Sequence, residues 1–216
     1  MKYLFTLVLF VLSASISSTG NAQNQTLHEK DCENGDYLAC SHVSSMYQLR
    51  PLTDKAIRHY EKSCEREHFP SCIYLGNIYA SRTSSLQDYS KAATTYKKAC
   101  NGGLMHGCVY VADLYQDKRI TGKGYKNARP LLEKSCDEGY LDGCVKLGVL
   151  YKRGLGIGED QEKAKELYNF ACDNGNADGC NLLRIMYKYG DGVEKDVNIA
   201  KDYFKKTCSI SKRSGC

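Results

Sequence analysis

The sequence lacks the features of a membrane-spanning, metal-binding or nucleic-acid-binding protein. Its one long apolar run, Leu4 to Leu12, is far shorter than the roughly 20 residues of a transmembrane helix. It has no Cys-x2-Cys or Cys/His zinc spacing, and its five histidines follow no motif. The 30 Lys/Arg and 25 Asp/Glu residues are interleaved without a basic block. We therefore expect no metal, no cofactor, no nucleic-acid partner and no membrane anchor.

The start of the chain has the pattern of a secretory signal peptide over residues 1–22. Basic Lys2 precedes the apolar run, and small and polar residues lead to a cleavage point after Ala22. No cysteine lies near that point, so nothing supports a lipid anchor. We expect the remaining chain, residues 23–216, to be exported as a secreted or periplasmic protein that forms a single solenoid.

The most informative feature present is a set of twelve cysteines in six Cys-x7-Cys pairs. The first member of each pair recurs after 32 residues once and after 36 residues four times, which indicates an array of one repeated unit. The pairs are Cys32 and Cys40, Cys64 and Cys72, Cys100 and Cys108, Cys136 and Cys144, Cys172 and Cys180, and Cys208 and Cys216.

Disulfide bonds are the favoured interpretation of these pairs, with zinc as the weaker alternative, because an oxidising compartment preserves paired cysteines. Residues eight apart on one straight helix would lie about 12 Å from each other, too far for a disulfide. The chain must therefore reverse within each pair. Glycines at 103/107, 139/143 and 175/179 favour such a turn, and Pro70 takes their place in the loop after Cys64.

Helical spacing flanks every pair. After the second cysteine, apolar and small residues recur at i+3, i+4 and i+7, as in Cys108, Val111, Ala112 and Tyr115. Before the first cysteine, an alanine stands eight residues upstream. A Tyr, Leu or Phe stands four residues upstream, on the cysteine's own buried helix face: Tyr60, Tyr96, Leu132, Tyr168 and Phe204. Asp160 and Asp196 are predicted helix caps, and Pro51 a predicted helix start. The pattern predicts an all-α, right-handed superhelical solenoid of about five antiparallel helix pairs.

The segment GCVKLGVLYKRGLGIGEDQEKAKELYNFAC, residues 143–172, resembles a Sel-one-like repeat, a relative of the tetratricopeptide repeat. With the cysteine pair in every unit and the signal peptide, the chain also resembles the Helicobacter cysteine-rich protein family. That resemblance implies penicillin binding, weak β-lactamase activity and interaction with host cells. It supplies no active-site motif to place on numbered residues, so the catalytic residues stay unknown.

The residues themselves give little support to enzyme chemistry. One Ser-x-x-Lys occurs, Ser209 to Lys212, without the Ser-Asp-Asn and Lys-Thr-Gly elements of serine β-lactamases, and we interpret it as a coincidence. Every cysteine has a partner at the same spacing, which leaves no odd thiol as a nucleophile.

A concave binding groove agrees better with the pattern, because the first helix of a stacked pair commonly lines that side. Candidate ligand contacts, with solvated surface as the alternative, are Tyr74, Asn77, Tyr110, Asp113, Lys146 and Lys152. The expected partner is a peptide, a protein or a cell-wall fragment, with β-lactams as the alternative. The tyrosines that recur seven residues after each second cysteine, at 47, 79, 115, 151 and 187, are predicted to be core.

Overall fold

The computed structural model describes residues 27–31, 36, 39, 54–81 and 86–212, without the side chains of residues 54–56. Within these residues the chain forms nine long helices, a helical stretch at 27–31 and no β-strand, which confirms the predicted all-α class. The helices are α1 (Asp54–Glu65), α2 (Phe69–Ala80), α3 (Tyr89–Asn101), α4 (Met105–Gln116), α5 (Tyr125–Asp137), α6 (Leu141–Arg153), α7 (Gln161–Asp173), α8 (Ala177–Tyr189) and α9 (Val197–Ser211).

The chain divides into two compact units, residues 1–75 and 76–216. The first unit contains α1 and the first half of α2, and the second contains the remaining helices. In the second unit each helix packs against the next along the chain, from α3 against α4 to α8 against α9. Helix pairs packed in series confirm the predicted solenoid architecture, whereas one continuous body over residues 23–216 stays a prediction.

Within the described residues, a disulfide closes the turn between α1 and α2, α3 and α4, α5 and α6, and α7 and α8. In the four bonds of the described part, the Cα atoms lie 4.5 to 4.8 Å apart. The confirmed pairs are Cys64–Cys72, Cys100–Cys108, Cys136–Cys144 and Cys172–Cys180. The predicted pairs Cys32–Cys40 and Cys208–Cys216 include residues outside the described part, although Cys208 is itself disulfide-bonded. Below, the helix before each cysteine pair is called the B helix, and the helix after it the A helix.

One residue in each of the four fully described disulfide loops has the left-handed backbone conformation that reverses the chain. Gly103, Gly139 and Gly175 have φ angles of 90°, 78° and 93°, as predicted for turn glycines. In the loop between α1 and α2, which has no glycine, Glu67 takes this conformation with φ 65°. Pro70 is the second residue of α2, where its missing N–H costs no helical hydrogen bond.

The second glycine of each loop has a role different from the predicted one. Gly107, Gly143 and Gly179 lie inside the A helices rather than in the turn. A Cβ atom on Gly179 would lie 2.9 Å from the Tyr168 carbonyl oxygen and 2.9 Å from Cβ of Ala171. These glycines therefore permit close approach of the A helix to the B helix, and assigning them to the turn was wrong.

The small residues of the B helices lie in the core as predicted. Ala92, Ala128 and Ala164 are completely buried, and Ala200 is 5 % exposed. The side chain of Ala56, like Tyr47 and Pro51, lies outside the described part. Asp160 and Asp196 are confirmed as N-caps: Asp160 accepts from Lys163 N, and Asp196 accepts from the backbone of α9.

The large B-helix residue four before the cysteine is buried at Tyr60, Tyr96, Leu132 and Tyr168, but Phe204 is 48 % exposed. The predicted burial of Phe204 is therefore wrong. In earlier units, the A-helix residue four after the second cysteine is small: Gly76 packs on the Tyr96 ring and Gly148 on the Tyr168 ring. In the last unit that position is Arg184, so the small residue that accommodates the large side chain in earlier units is missing.

Candidate ligand-binding face

The A helices carry a row of partly exposed side chains beside their buried stripe. These side chains stand two and five residues after the second cysteine, so they share one helix face at i, i+3 spacing. None of them is buried. In the second unit they are Asn77, Tyr110, Asp113, Lys146, Val149, Leu182 and Ile185, and we call this row the A-helix face.

Two A helices are joined across this face by an ion pair. Lys146 Nζ of α6 lies 2.8 Å from Asp113 Oδ1 of α4, and the two side chains are each 40 % exposed. Solvent screening makes such a pair worth at most about 1 kcal/mol to folding. Its value lies in placing a carboxylate and an ammonium group side by side on neighbouring repeats, where a ligand can reach both.

A hydrogen bond extends the row towards α2. The Tyr96 hydroxyl of the B helix α3 donates to Asn77 Oδ1 at 2.6 Å. Burial, followed by the neighbouring Tyr110 and Asp113, raises the pKa of Tyr96, so its hydroxyl keeps its proton. The Tyr110 ring lies 5.0 Å from the Tyr96 ring at 51°. With its oxygen occupied, Asn77 has its amide N–H groups available as donors.

A second aromatic contact lies further along, at the start of α6. The rings of His106 and Tyr140 are 4.5 Å apart, and the Tyr140 hydroxyl donates to Asp142 Oδ2 at 3.1 Å. Asn176, the N-cap of α8, donates to Asp142 Oδ1 at 2.8 Å. Burial first, and then Asp142, raises the pKa of Tyr140. These polar and aromatic contacts connect the starts of three successive A helices, α4, α6 and α8.

Of the six predicted contact residues, the structure brings together Asn77, Tyr110, Asp113 and Lys146. Lys152 instead forms an ion pair with Asp191, in the link after α8, and its side chain is only 18 % exposed. Tyr74 belongs to the first unit, where it is 38 % exposed and its ring lies 5.8 Å from that of Tyr60.

Sequence reasoning missed Tyr96, His106, Tyr140, Asp142 and Asn176. The Tyr96 ring was assigned to the core, which is correct, but its hydroxyl reaches the face. The other four lie between the two cysteines of their pairs, and the repeat register gave no reason to separate them from turn residues. Tyr140 and Asn176 stand 36 residues apart, at the same position of successive repeats, and this equivalence was the signal available in the sequence.

The A-helix face becomes apolar towards α8. Val149 and Leu182 occupy the positions that hold Asp113 and Lys146 one unit earlier, and they pack against the core formed by α7 and α8. The face thus runs from amide and phenol groups, through an ion pair, to aliphatic side chains.

The recurring tyrosines are core in the earlier units and only half-buried in the later ones. Tyr79 and Tyr115 are 8 % and 4 % exposed, which confirms their prediction. Tyr151 and Tyr187 are half-buried, and Tyr187 lines a pocket. The prediction that Tyr187 is a core residue therefore omitted its exposed side, which lines the pocket.

The Ser-x-x-Lys segment has none of the features of a catalytic pair. Ser209 and Lys212 are exposed near the end of α9, and Ser209 Oγ donates to the Lys206 carbonyl of its own helix at 2.8 Å. Among the described residues no group of three or more His, Cys, Asp or Glu side chains could hold a metal ion. Nor does any described helix have the length and apolar character needed to cross a bilayer.

The sequence profile of the Sel1 repeat matches residues 44–68, 70–104, 141–176 and 178–209. Residues 105–140, between the second and third matches, contain α4 and α5 with the same cysteine and alanine register. No curated protein matches the chain significantly in sequence.

Several solved structures resemble the chain in fold. A protective antigen of uropathogenic Escherichia coli with an SLR fold aligns with a TM-score of 0.72 and 25 % identity over 86 % of this chain; the chain spans only 40 % of that protein. A Sel1 repeat protein of Oxalobacter formigenes aligns with a TM-score of 0.72 and 18 % identity, covering 89 % and 77 % of the two chains. Cysteine rich protein B of Helicobacter pylori aligns with a TM-score of 0.46 and 26 % identity over 59 % of this chain and 92 % of its own.

Proposed function

The chain belongs to the Sel1 repeat family, and from this premise we propose that it binds an extended peptide segment of a partner protein along the A-helix face. Sel1 repeats generally mediate protein interactions. The observation that carries the proposal is the continuous row from Asn77 through Tyr96 and Tyr110 to the Asp113–Lys146 pair.

The chemistry of this row suits a peptide backbone. Asn77 offers amide donors, Asp113 accepts from backbone N–H groups, and Lys146 donates to carbonyl groups. Packed helices lie 8–10 Å apart and an extended peptide advances about 3.3 Å per residue, so each repeat would meet about three ligand residues. Because the face becomes apolar at Val149 and Leu182, the ligand should carry polar residues at one end and aliphatic residues at the other.

We place this activity outside the cytoplasm, as a secreted or periplasmic protein. The disulfides support this location, because such bonds persist in oxidising compartments and are rare in the cytosol. The predicted signal peptide over residues 1–22 agrees with it, although these residues lie outside the described part. Mass spectrometry of the exported chain would test it, with a mature start at residue 23 as the expected result.

Hydrolysis or slow acylation by β-lactams stays the alternative, implied by the family resemblance. No arrangement in the described residues favours it, since the exposed Ser209 hydroxyl is hydrogen-bonded within its own helix. Incubating the oxidised protein with a chromogenic cephalosporin and with penicillin, while following hydrolysis and intact mass, separates the two functions. Turnover or an adduct lost in Ser209→Ala would support the enzyme; absence of both would leave binding.

The binding proposal is tested by selecting 12-residue peptides from a display library against the purified, oxidised protein. The selected peptide is then titrated into 15N-labelled protein. We expect chemical-shift changes at Asn77, Tyr110, Asp113 and Lys146. Shift changes confined to the B helices would contradict the proposal.

A further inference from the structure

The hydroxyl group of Tyr168 on α7 is buried and has no hydrogen-bond partner among the described residues. The whole side chain is completely buried. A buried hydroxyl that makes no hydrogen bond costs folding free energy, and folded proteins contain few such groups. The equivalent tyrosine of an earlier repeat, Tyr96, shows which contact is missing.

The Tyr96 and Tyr168 rings have the same orientation against the preceding A helix. Both tyrosines stand four residues before the first cysteine of a pair. A Cβ atom on Gly76 would lie 2.9 Å from Cζ of Tyr96, the ring carbon that carries the hydroxyl. A Cβ atom on Gly148 would lie 3.2 Å from Cζ of Tyr168. The two hydroxyl groups therefore point to equivalent places on α2 and α6.

The acceptor at that place is present beside Tyr96 and absent beside Tyr168. The Tyr96 hydroxyl donates to Asn77, the residue after Gly76. The equivalent of Asn77 on α6 is Val149, whose aliphatic side chain accepts no hydrogen bond. The Tyr168 hydroxyl is thus directed at the turn of α6 that begins at Val149, and no acceptor meets it there.

The same turn ends with a cation that has no ion pair. Arg153 stands four residues after Val149, so the two residues lie on one helix face, the face that the A-helix row occupies. Arg153 is exposed and forms no ion pair within the described residues. Its neighbour Lys152 is paired with Asp191. The guanidinium group of Arg153 is therefore available to a ligand.

Arg153 lies close enough to Tyr168 to act on its hydroxyl. Burial, the largest cause, raises the pKa of Tyr168 to about 12; the Arg153 guanidinium lowers this pKa and the Asp191 carboxylate raises it. Two further carboxylates follow α6 along the chain. Glu159 accepts from the Gln161 amide, and Asp160 caps α7. None of these three carboxylates forms an ion pair with Arg153 in the described part of the chain.

A carboxylate group suits this pair of donors. A guanidinium group binds a carboxylate through two parallel N–H···O bonds, and a phenol hydroxyl donates to the same group. A neutral amide oxygen accepts such bonds more weakly. The Tyr168 hydroxyl is covered in the free chain, so a side chain above it must change its rotamer when the ligand binds, as is common at interfaces.

The surface beside Arg153 favours an aliphatic residue next to the carboxylate. Val149 and Leu182 are half-buried and pack on the core cluster that contains Tyr168. Four helical residues span about 6 Å, and an extended peptide advances about 3.3 Å per residue. A ligand side chain on Val149 would therefore lie within about two residues of a carboxylate at Arg153.

We propose that the Arg153 guanidinium and the Tyr168 hydroxyl bind a carboxylate of the peptide ligand, with an aliphatic residue of that peptide on Val149 and Leu182. The inference rests on the proposed peptide-binding function and names the group recognised at the apolar end of the A-helix face. The carboxylate of a C terminus and that of an acidic side chain present the same chemistry.

The test titrates two pairs of short peptides into the oxidised, 15N-labelled full chain. The first pair is acetyl-Gly-Val-Leu with a free carboxylate and its C-terminal amide. The second pair is acetyl-Val-Leu-Glu-Gly-amide and the same peptide with Gln in place of Glu. We expect saturable shift changes at Val149 and Arg153, with binding of the neutral member weaker by at least about fivefold.

Each pair tests one source of the carboxylate. A preference for the charged member of the first pair alone identifies a C terminus, and a preference in the second pair alone identifies an acidic side chain. Equal binding within both pairs, or shift changes that avoid Val149 and Arg153, would overturn the proposal.

Single substitutions assign the two donors. Arg153→Gln and Tyr168→Phe should each weaken binding of the charged peptide by about fivefold, and Arg153→Lys, which loses the planar fork, should recover only part of it. Arg119→Gln is the matched control, because Arg119 is an exposed arginine that lies 5.2 Å from the Tyr89 ring centre, in the link after α4. All four variants should keep the wild-type helicity.

Unchanged binding by Arg153→Gln would overturn the site, and unchanged binding by Tyr168→Phe would exclude the hydroxyl from it. None of the substitutions changes Asn77, Asp113 or Lys146, where the selected 12-residue peptide should bind. If that peptide avoids those residues while the charged short peptide still requires Arg153, the groove proposal alone fails. If the peptide binds there and its carboxylates can be neutralised without loss, the carboxylate site alone fails.

Discussion

Gly148 of α6 lies directly against the ring of Tyr168 on α7, and a Cβ atom at Gly148 would come within 2.6 Å of the ring carbon Cε1. Tyr168 is completely buried, so its ring has no free space into which it could move. The same relationship joins Gly76 to Tyr96. A small A-helix residue and a large B-helix residue are thus complementary parts of one contact.

Substituting Gly148 by Ala should therefore destabilise the protein, even though Ala favours helices. Forcing a methyl group into a filled core costs about 1–3 kcal/mol, which equals or exceeds the roughly 1 kcal/mol gained in helix propensity. Gly158→Ala is the matched control, because a Cβ atom there meets nothing within 4 Å. Urea unfolding followed by circular dichroism measures both; equal midpoints for the two variants would contradict the packing account.

Removing the Cys172–Cys180 bond should destabilise the helix pair α7 and α8 without unfolding it in buffer. A loop this short gives about 2–3 kcal/mol by the chain-entropy estimate. The double variant Cys172→Ala with Cys180→Ala should show this loss in urea. Its non-reducing peptide map should retain Cys64–Cys72, Cys100–Cys108 and Cys136–Cys144. Exchanged pairs in the wild-type map would refute the predicted local connectivity.

Stability should decrease between pH 10 and 12 because of buried tyrosines. Burial, the largest cause, raises the pKa of Tyr168 to about 12 from its ordinary value of 10.0. In that interval the unfolded chain loses the phenolic proton while the folded chain keeps it, so rising pH favours unfolding.

Tyr168→Phe should reduce this alkaline loss and leave stability at pH 7 unchanged or slightly higher. The Tyr168 hydroxyl is buried without a hydrogen-bond partner among the described residues, so its removal costs no bond. Unfolding midpoints at pH 7, 10 and 11 measure the effect. A variant that loses as much stability as wild type between pH 10 and 11 would exclude Tyr168 as a contributor.

Losing the cap of α9 should destabilise the last helix. The Asp196 carboxylate accepts from the N–H groups of Asn198 and Ile199, and Asp196→Ala should cost about 1 kcal/mol. Hydrogen exchange should become faster in α9 first. Asp196→Asn, which retains an accepting oxygen, should recover most of the stability; failure to do so would point to charge rather than capping.

Much of the fold follows from the sequence because its determinants are local. Eight-residue cysteine spacing, helical periodicity and the cap Asp160 each act within one unit, so reading a single repeat predicts them. Phe204 shows the limit of this reasoning. Its position in the unit predicts burial, but the position of the preceding A helix that is Gly76 or Gly148 in earlier units is Arg184 in the last unit.

The candidate face was predicted less completely for a related reason. Helical spacing identified Asn77, Tyr110, Asp113 and Lys146 as exposed neighbours of the core. It could not show that Tyr96 reaches Asn77 from another helix. Lys152, eight residues after Cys144, was predicted as a contact with the others, yet its partner Asp191 is in the link after the next A helix. Contacts between repeats decide these cases, and a single-repeat pattern does not contain them.

The central claim, peptide binding on the A-helix face, is tested most directly by titrating a selected peptide against two charge-neutralised double variants. Asp113→Asn with Lys146→Met removes the ion pair of the A-helix face, and Asp173→Asn with Lys206→Met removes an exposed pair between B helices α7 and α9. We predict at least tenfold weaker binding for the first variant and unchanged binding for the second, with equal helicity. Equal binding by the two variants would contradict the account.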